Sequence, residues 1–405
     1  MDTHNKLNLS FSGGGFRATF YSMGAYRRLG ELGLHNRISA ISSVSGGSIA
    51  AGAIMTALAT RSFSSVQDFD VRVYAPLRRL AQRNLRQRIV VKAAMSGTWD
   101  LPRSIYSRLL PSILNEELFG GTLFMDLPVS PEWSCNATCL NTMKRFRFKP
   151  TDIQDTSIGT SQDIDDITVG HAVAASAAFP LMFAPVELDI SRREFVDRFG
   201  NAVYAAGQIP SKLYLTDGGV YDNLGSEKMI ASKEPYLILD ASAESSAWEY
   251  DFHPRYFRLN QRTLETALNQ IVMLRRRLIY NTQTTYGMQL RLGIPVGKIP
   301  SEKFAESYKH IDLSKYQNFD PRIERLIATI RTDLDGFHDV EIECLAWAGA
   351  IRTDLAVKAL IPDLVPTSEW DAVPQMPDYN TDKMIKTLAT GKKRRLLFTH
   401  RSLHA

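Results

Sequence analysis

The sequence predicts an α/β protein with a mostly parallel central sheet and a helical C-terminal part. Two turns near the N-terminus carry this prediction. One strand pattern runs into three consecutive glycines that begin at Gly13, and a second runs into Gly46 and Gly47; apolar residues at helical spacing follow each turn. This strand-helix-strand-helix order predicts parallel strands joined by right-handed crossovers. With 44% apolar and 22% charged residues among 405, the chain can bury a large core.

The individual elements follow from the spacing of apolar residues. Leu7–Phe11 alternates apolar and polar side chains and predicts the first strand, and Ile38–Val44 predicts the second. The first helix is indicated by apolar residues three or four positions apart: Phe16, Phe20, Met23, Tyr26 and Leu29. Later strands are predicted at 134–140, 146–148, 213–216 and Tyr236–Asp240. Helical spacing returns at Leu264, Leu268, Ile271, Leu274, Leu278, Ile323, Leu326, Ile327 and Ile330.

The charge of the chain is unevenly distributed. The 48 basic and 43 acidic residues give a formal net charge of +5, yet seven basic residues and no acidic residue follow Asp382. The rest of the chain is close to neutral, which argues against a nucleic-acid polymer as a partner, whereas the basic end can meet an anionic surface. Segment 72–108 holds nine basic residues and one acid. We interpret it as a pair of amphipathic helices with solvated charges; contact with phospholipid headgroups is the alternative.

The cysteines and the N-terminal residues indicate the cellular compartment in which the protein is expected. Three cysteines, without His or Asp at metal-ligand spacing, predict free thiols in a reducing compartment. The first nine residues contain no apolar core of a signal peptide, so a cytoplasmic protein is expected. The uncharged run 38–60 is long enough to cross a bilayer, but its five serines and three glycines favour a strand, turn and helix.

Ser45 is the first candidate for chemistry. It lies in the pentapeptide Ser-Val-Ser-Gly-Gly at 43–47, where a predicted strand meets a predicted helix. Small residues on both sides let the backbone turn sharply and hold the hydroxyl at the helix N-terminus, as in a nucleophile elbow. Ser43 occupies the position where that motif usually has glycine. Taken alone, the pentapeptide also fits a packed turn without chemistry.

The glycine-rich loop that begins at Gly13 is the second candidate. It lies one strand-helix-strand unit upstream, so both turns are expected at the same carboxyl edge of neighbouring parallel strands. Its backbone N–H groups can hold a negative oxygen, which in acyl transfer forms an oxyanion hole. With Ala18, the loop also fits the dinucleotide pattern G-x-G-x-x-G/A. That interpretation needs an acid at the end of the second strand, where Ser42 and Ser43 stand instead.

Asp217 is the candidate base. It follows a strand pattern and precedes Gly218 and Gly219, which places it on a turn free of crowding. A serine hydroxyl needs a base to become a nucleophile, and none of the eight histidines lies in a comparable glycine-flanked turn. Asp222 is expected to hydrogen-bond its own turn.

Together these segments resemble the patatin-like phospholipase family over residues 7–225. Its pattern combines a glycine-rich oxyanion loop ending in a basic and a small residue, a G-x-S-x-G serine, an Ala-Ser segment before a proline, and an Asp-Gly-Gly motif. The matching segments are 13–18, 43–47, 175–180 and 217–219. The sequence departs from the pattern at Ser12, Ala18 and Ser43, where many members have Asp, Gly and Gly.

The resemblance implies a three-layer α/β/α patatin-like fold. Residues 7–225 would form the catalytic domain, and 226–365 would be a helical C-terminal part packed on the same body. Residues 366–405, where the apolar periodicity ends, are expected to form a basic, mobile tail.

The resemblance also implies a Ser-Asp dyad that works without histidine, metal or cofactor. Ser45 would attack an ester carbonyl with Asp217 as its base. The oxyanion would be held by the loop and elbow glycines, which are Gly13, Gly14, Gly15 and Gly46. Arg17 would brace the loop or meet a phosphate.

The family suggests the partners. The expected substrate is a phospholipid or lysophospholipid, reached by a cytoplasmic protein at a peripheral membrane surface. Family members serve in lipid turnover, as toxins and as defence effectors switched on by a signal, so a small-molecule activator is a further expectation.

Two other functions stay open at this stage. An α/β-hydrolase could use a triad of Ser45, Asp217 and His253, although the nucleophile of that fold usually follows several strands and here follows the second. A binding protein could use the glycine loop for a phosphate or nucleotide and Ser45 merely as a turn.

The basic end yields the first testable prediction. Residues 392–395 (Lys-Lys-Arg-Arg) precede Leu396, Leu397 and Phe398, a combination that can dock at an anionic interface. Each basic side chain near such a surface contributes about 1 kcal/mol. Truncation after Asp382 is therefore expected to lower binding to anionic vesicles and hydrolysis of vesicle lipid, with little effect on a soluble ester. Equal vesicle binding by both forms at low salt would assign no such role to this end.

Overall fold

A computed structural model describes residues 6–85, 87–88, 103–180, 182–203, 210–242, 256–282, 286–298 and 304–391. The strands are β1 Leu7–Phe11, β2 Ile38–Val44, β3 Glu132–Cys139, β4 Lys144–Phe148, β5 Ile153–Asp155, β6 Gly159–Ser161, β7 Val186–Asp189, β8 Lys212–Asp217, β9 Tyr236–Asp240 and β10 Gly287–Arg291. The helices are α1 Gly15–Glu31, α2 Gly46–Thr60, α3 Val66–Phe69, α4 Ala75–Gln82, α5 Arg103–Leu114, α6 Val169–Ala177, α7 Gly219–Asp222, α8 Glu227–Ile230, α9 Tyr256–Thr282, α10 Pro321–Ala328, α11 Asp339–Leu360 and α12 Thr381–Thr390.

One sheet runs through the described chain. Its order is β10-β9-β1-β2-β3-β4-β5-β6, with β8 beside β3 and β7 beside β8. The five strands from β10 to β3 are parallel, as the alternation of strands and helices predicts. Antiparallel pairs continue the sheet beyond β3. The mostly parallel central sheet predicted from the sequence is thus confirmed, with an antiparallel extension on one side.

Helices cover both faces of this sheet. The side chains of β9 alternate between two apolar clusters: Leu237 and Leu239 belong to the large core that includes α1 and α11, whereas Tyr236 and Ile238 join a smaller cluster with Ile279 of α9. Successive side chains of a strand point to opposite faces, so the two clusters lie on opposite sides of the sheet. The three-layer α/β/α arrangement follows from this.

The end of β2 meets the end of β8. Strand β2 pairs with β3 as far as Val44, which lies opposite Asn136. Because β3 is longer, its last residues stay free for β8, which runs antiparallel and places Asp217 opposite Ala137. The carboxyl ends of β2 and β8 therefore approach each other along one edge of β3. This arrangement brings two distant parts of the sequence to one point.

Helix α1 is clamped between the sheet and α11 by contacts that only glycine allows. A Cβ at Gly24 would lie 1.8 Å from the carbonyl oxygen of Ala346, and a Cβ at Gly349 would lie 1.9 Å from that of Tyr21. An ion pair of 2.7 Å between Arg28 and Asp354 reinforces the contact; the two side chains are 5% and 0% exposed. The C-terminal part is thereby fixed to the N-terminal unit by backbone-to-backbone packing.

Two expectations about the C-terminal half need correction. Segment 226–365 is not helical throughout, because it supplies β9 and β10 to the central sheet. Residues 366–391 are not a mobile tail: α12 buries Met384 and Leu388, which are 2% and 0% exposed. These two side chains, one helical turn apart, pack into the main core. Residues 392–395 lie outside the described residues. Because α12 packs into the core, a truncation that removes the basic cluster alone starts after Gly391.

Basic side chains in the described part of segment 72–108 form ion pairs with acidic side chains, while part of the expected pair of amphipathic helices lies outside the described residues. Arg72 pairs with Asp68 at 3.2 Å and Arg78 with Asp339 at 2.8 Å, while Arg83 and Arg88 share Glu117. The apolar side chains spaced about a helical turn apart in this segment are buried; they are Val73, Leu77, Leu80 and Leu85. None of the helices in the described ranges is both long and apolar enough to cross a membrane.

The close packing of α1 yields a stability prediction. Gly24→Ala is expected to destabilise the protein by about 2 kcal/mol or more, because the new methyl group meets backbone that cannot rotate away. Alanine in a helix would otherwise stabilise by up to about 1 kcal/mol, so the sign of the change is diagnostic. Urea unfolding measures it. The matched control is Gly30→Ala in the same helix, where the new Cβ meets the ring of His35 rather than backbone. Equal or higher stability of Gly24→Ala would contradict this packing.

Candidate active site

Ser45 occupies a strained turn between β2 and α2. Its φ of 52° and ψ of −120° depart from the usual regions, and Asn84 and Met143 are the other non-glycine residues with positive φ in the described ranges. Strained backbone of this kind persists where surrounding structure enforces it, often at functional sites. The Ser45 residue is 9% exposed, and its amide donates to Oγ of Ser176 at 2.9 Å. The elbow predicted from the pentapeptide is present.

The two glycine turns touch each other. A Cβ at Gly46 would lie 2.0 Å from the carbonyl oxygen of Gly15, and a Cβ at Gly47 would lie 2.4 Å from that of Phe11. Any side chain at these two positions would push the second turn away from the first. The Gly-Gly pair after Ser45 is therefore required by the approach of the two backbones.

The glycine-rich loop presents two amides rather than three. Gly14 and Gly15 have φ values of 140° and 55°, and no described residue accepts a hydrogen bond from either amide or from that of Gly46. The amide of Gly13 donates to the carbonyl of Asn223 at 2.9 Å. The expectation that Gly13 helps to hold the oxyanion is therefore wrong, because its N–H group is already used. Gly14, Gly15 and Gly46 keep theirs.

Asp217 ends β8 as a buried carboxylate. It is 2% exposed, Oδ1 accepts the amide of Gly219 at 2.7 Å, and Oδ2 accepts no hydrogen bond of normal length from a described residue. Burial raises the pKa of Asp217 to about 6, and the Ser45 side chain and the Gly219 amide oppose that rise. The groups that set this pKa include no basic side chain. A carboxyl group with these properties can take a proton from a neighbouring hydroxyl near neutral pH.

Asp222 and the described histidines do not line the cavity around Ser45. As predicted, Asp222 serves its own turn and accepts the amides of Leu224 and Ser226 at 3.0 and 2.8 Å. The described histidines are 35, 171, 310 and 338, and none of them lines the cavity around Ser45. His253 lies outside the described residues. The described ranges also contain no group of three His, Cys, Asp or Glu side chains placed to hold a metal ion.

Arg17 braces the loop. Its side chain is 2% exposed; Nε donates to the carbonyl of Ala241 at 3.0 Å and Nη1 to the carbonyl of Ile330 at 2.9 Å. These bonds fix the first turn of α1 to the end of β9 and to the segment after α10. Arg17 was expected either to brace the loop or to meet a phosphate. Its hydrogen bonds fit the bracing role, and it does not line the cavity.

Ser45, Asp217 and the glycine loop line one cavity of about 560 Å³. One wall is apolar and consists of Ala177, Phe179, Met182 and Phe183. Another part of the lining comes from α9, which contributes Arg262, Glu265, Leu268, Asn269 and Val272. Helical spacing alone does not predict that α9 lines the cavity, because α9 reaches the site only through the fold. The cavity thus brings the candidate nucleophile Ser45 and the candidate base Asp217 together with apolar and mixed lining.

The motifs of the site fall within a known family model. A family model described as Patatin-like phospholipase matches residues 9–228. No curated protein matches the chain. The solved structures that match include human GIVD cytosolic phospholipase A2, at 12% identity and a TM-score of 0.39, over 60% of this chain and 43% of that one. VipD from Legionella pneumophila matches at 14% identity and a TM-score of 0.30, over 96% and 85% of the two chains.

This chain therefore spans less than half of the human chain that it matches. The family model, by contrast, covers more than half of the 405 residues and includes both glycine turns, Ser45 and Asp217. On that match, the chain belongs to the patatin-like phospholipase family.

Proposed function

We propose that this protein is a lipid acyl hydrolase that cleaves carboxylic ester bonds of phospholipids or lysophospholipids with a Ser45–Asp217 dyad. The observation that carries the proposal is the convergence of a strained serine turn and a buried carboxylate, whose pKa is about 6, in one cavity. Family membership supports a lipid substrate.

The reaction follows from the positions of these groups. Asp217 takes the proton of Ser45 Oγ while Oγ attacks the ester carbonyl. The amides of Gly14, Gly15 and Gly46 stabilise the resulting oxyanion. When the intermediate collapses, the alcohol leaves with the proton from Asp217. Asp217 then takes a proton from water, the water oxygen attacks the acyl-enzyme, and the fatty acid leaves as the proton returns to Ser45.

The cavity suggests how the substrate lies. Its apolar wall of Ala177, Phe179, Met182 and Phe183 suits an acyl chain, since burial of methylene groups is favourable. The polar side chains of α9 that line the cavity suit the glycerol or headgroup. We propose that the enzyme acts at a peripheral membrane surface in the cytoplasm. A regulated, membrane-attacking effector with a small-molecule activator stays a prediction from the resemblance.

The dyad is favoured over a Ser-Asp-His triad. Asp217 reaches a useful pKa through burial, without help from an imidazole. No described histidine lines the cavity. A triad would have to use His253, and a variant of that residue distinguishes the two mechanisms.

Removal of the nucleophile is the first test. Ser45→Ala is expected to lower hydrolysis of a short nitrophenyl ester by at least about a hundredfold, because a single hydroxyl starts the reaction. Circular dichroism checks the fold. His253→Ala is the control and should keep most of the activity. Ser45→Ala activity above about a tenth of wild type would exclude Ser45, and an inactive but folded His253→Ala would assign a triad.

Replacement of the base gives a prediction about pH. The rate of the wild-type enzyme should fall about tenfold per pH unit below pH 6, because the base must be unprotonated, and should level off above it. Asp217→Asn should be nearly as inactive as Ser45→Ala, since the amide keeps the shape and cannot take the proton.

Asp217→Asn should raise the free energy of unfolding, because the pKa of Asp217 is higher in the folded than in the unfolded protein. The pKa of Asp217 rises from 3.8 to about 6 on folding, so the native state loses stability as pH increases between these values and carries the full cost above pH 6. Asp217→Asn is therefore expected to stabilise by at most about 3 kcal/mol at pH 8 and by almost nothing at pH 4. Urea unfolding at both pH values measures this. Destabilisation at pH 8 would contradict the buried, uncompensated carboxylate.

A further inference from the structure

A chain of buried hydroxyl groups lies behind the nucleophile turn. Ser43 of β2 lies 2.9 Å from Ser48 of α2, and Ser48 lies 2.8 Å from Ser176 of α6, measured between Oγ atoms. At one end, Nε1 of Trp133 donates to Ser43 Oγ at 2.9 Å. At the other end, Ser176 Oγ donates to the carbonyl of Asn136 at 2.6 Å. All three serines are 0% exposed.

The two ends fix the direction of every bond in this serine chain. An indole N–H can only donate and a backbone carbonyl can only accept. Ser43 therefore accepts from Trp133 and donates to Ser48, which donates to Ser176. The hydroxyl of Ser176 donates its proton to the carbonyl oxygen of Asn136, so both lone pairs of Ser176 Oγ are available to accept hydrogen bonds. One receives Ser48, and the other receives the amide of Ser45 at 2.9 Å.

The end of α6 also holds the backbone around the proposed base. The carbonyl of Ser176 accepts the amide of Gly218 at 3.1 Å, and the carbonyl of Ala178 accepts the amide of Asp217 at 3.1 Å. Ser176 thus touches the backbone on both sides of the dyad, through its hydroxyl toward Ser45 and through its carbonyl toward Gly218. None of Ser43, Ser48 and Ser176 lines the cavity, so none of them meets substrate.

We propose that Ser176 is a positioning residue that holds the Ser45 turn in its strained, productive form, and that Ser43 and Ser48 orient its hydroxyl. The inference rests on the proposed function and extends it to residues that do not contact substrate. Ser43 stands where the elbow motif usually has glycine, and its hydroxyl is what links Trp133 to Ser48.

The physical reason lies in the conformation of Ser45. A positive φ at a serine persists only while its neighbours enforce it. Without the Ser176 hydroxyl, the buried Ser45 amide loses its acceptor, and the turn gains by relaxing toward another partner. Small displacements of a nucleophile lower the rate of the chemical step far more than they change binding. The effect should therefore appear in kcat and not in KM.

Steady-state kinetics on a soluble nitrophenyl ester test the proposal. Ser176→Ala is expected to lower kcat per active site about ten- to a hundredfold, with KM within about twofold of wild type. Active sites are titrated with a fluorophosphonate, so that a loss of folded protein does not count as a loss of kcat. Ser176→Cys, which keeps a weaker hydrogen-bonding group, should be intermediate.

The matched control is Ser10→Ala. Like Ser176, Ser10 is 0% exposed; it lies in β1, and its hydroxyl donates to the carbonyls of Leu224 and Gly225 without contacting Ser45 or Asp217. It should keep kcat per titrated site. If Ser176→Ala kept wild-type kcat per site, or lost no more than Ser10→Ala, the positioning role would be excluded.

A double-mutant cycle tests whether the serine chain acts as a unit. Ser43→Gly should lower kcat by less than Ser176→Ala, and should have no further effect in the Ser176→Ala background. Fully additive effects would exclude orientation of Ser176 by Ser43. These outcomes are separate from those that test the proposed function, which fails if Ser45→Ala stays active or if a folded His253→Ala is inactive.

Discussion

The burial of the Asp217 carboxylate without a basic partner is the constraint on which the rest of the site depends. Burial alone would favour the protonated acid, and the Gly219 amide and the Ser45 side chain offset part of that effect. The resulting pKa of about 6 lets a carboxyl group act as a base near neutral pH, a task for which many hydrolases use histidine. A cation beside Asp217 would stabilise the protein but would weaken the base. The absence of a basic partner from the groups that set this pKa therefore lowers the stability of the folded state and keeps Asp217 able to accept a proton.

The architecture supplies this geometry through differences in strand length and through glycine. Strand β3 extends beyond the residues that pair with β2. Strand β8 therefore pairs antiparallel with the last residues of β3, which places Asp217 just beyond the end of β2. Gly46 and Gly47 let the serine turn contact the glycine loop, and α6 holds the backbone on both sides of the dyad through Ser176. Each device joins segments far apart in sequence. The fold, rather than a single motif, sets the distance between Ser45 and Asp217.

Local patterns predicted much of this, and long-range contacts account for the rest. The bounds of β1, β2 and β9 follow from alternation or a short apolar run, and Ser45 and Asp217 stand out because glycines flank them. The predicted oxyanion role of Gly13 is wrong because its amide donates to Asn223, which lies in a turn far away in the sequence. The ordered α12 was missed because its burial depends on tertiary packing that the sequence pattern does not encode. The contribution of α9 to the cavity could not be predicted from the sequence for the same reason.

The most direct test of the dyad is to identify the residue that a lipid-like fluorophosphonate modifies and how fast. Intact-mass and peptide mass spectrometry of the labelled protein should find one adduct per chain, on Ser45, since only an activated hydroxyl attacks phosphorus readily. Labelling of Asp217→Asn should be slower by at least about tenfold, because its serine lacks a base. An adduct on another residue, or labelling of Ser45 at the wild-type rate in Asp217→Asn, would contradict a Ser45–Asp217 dyad.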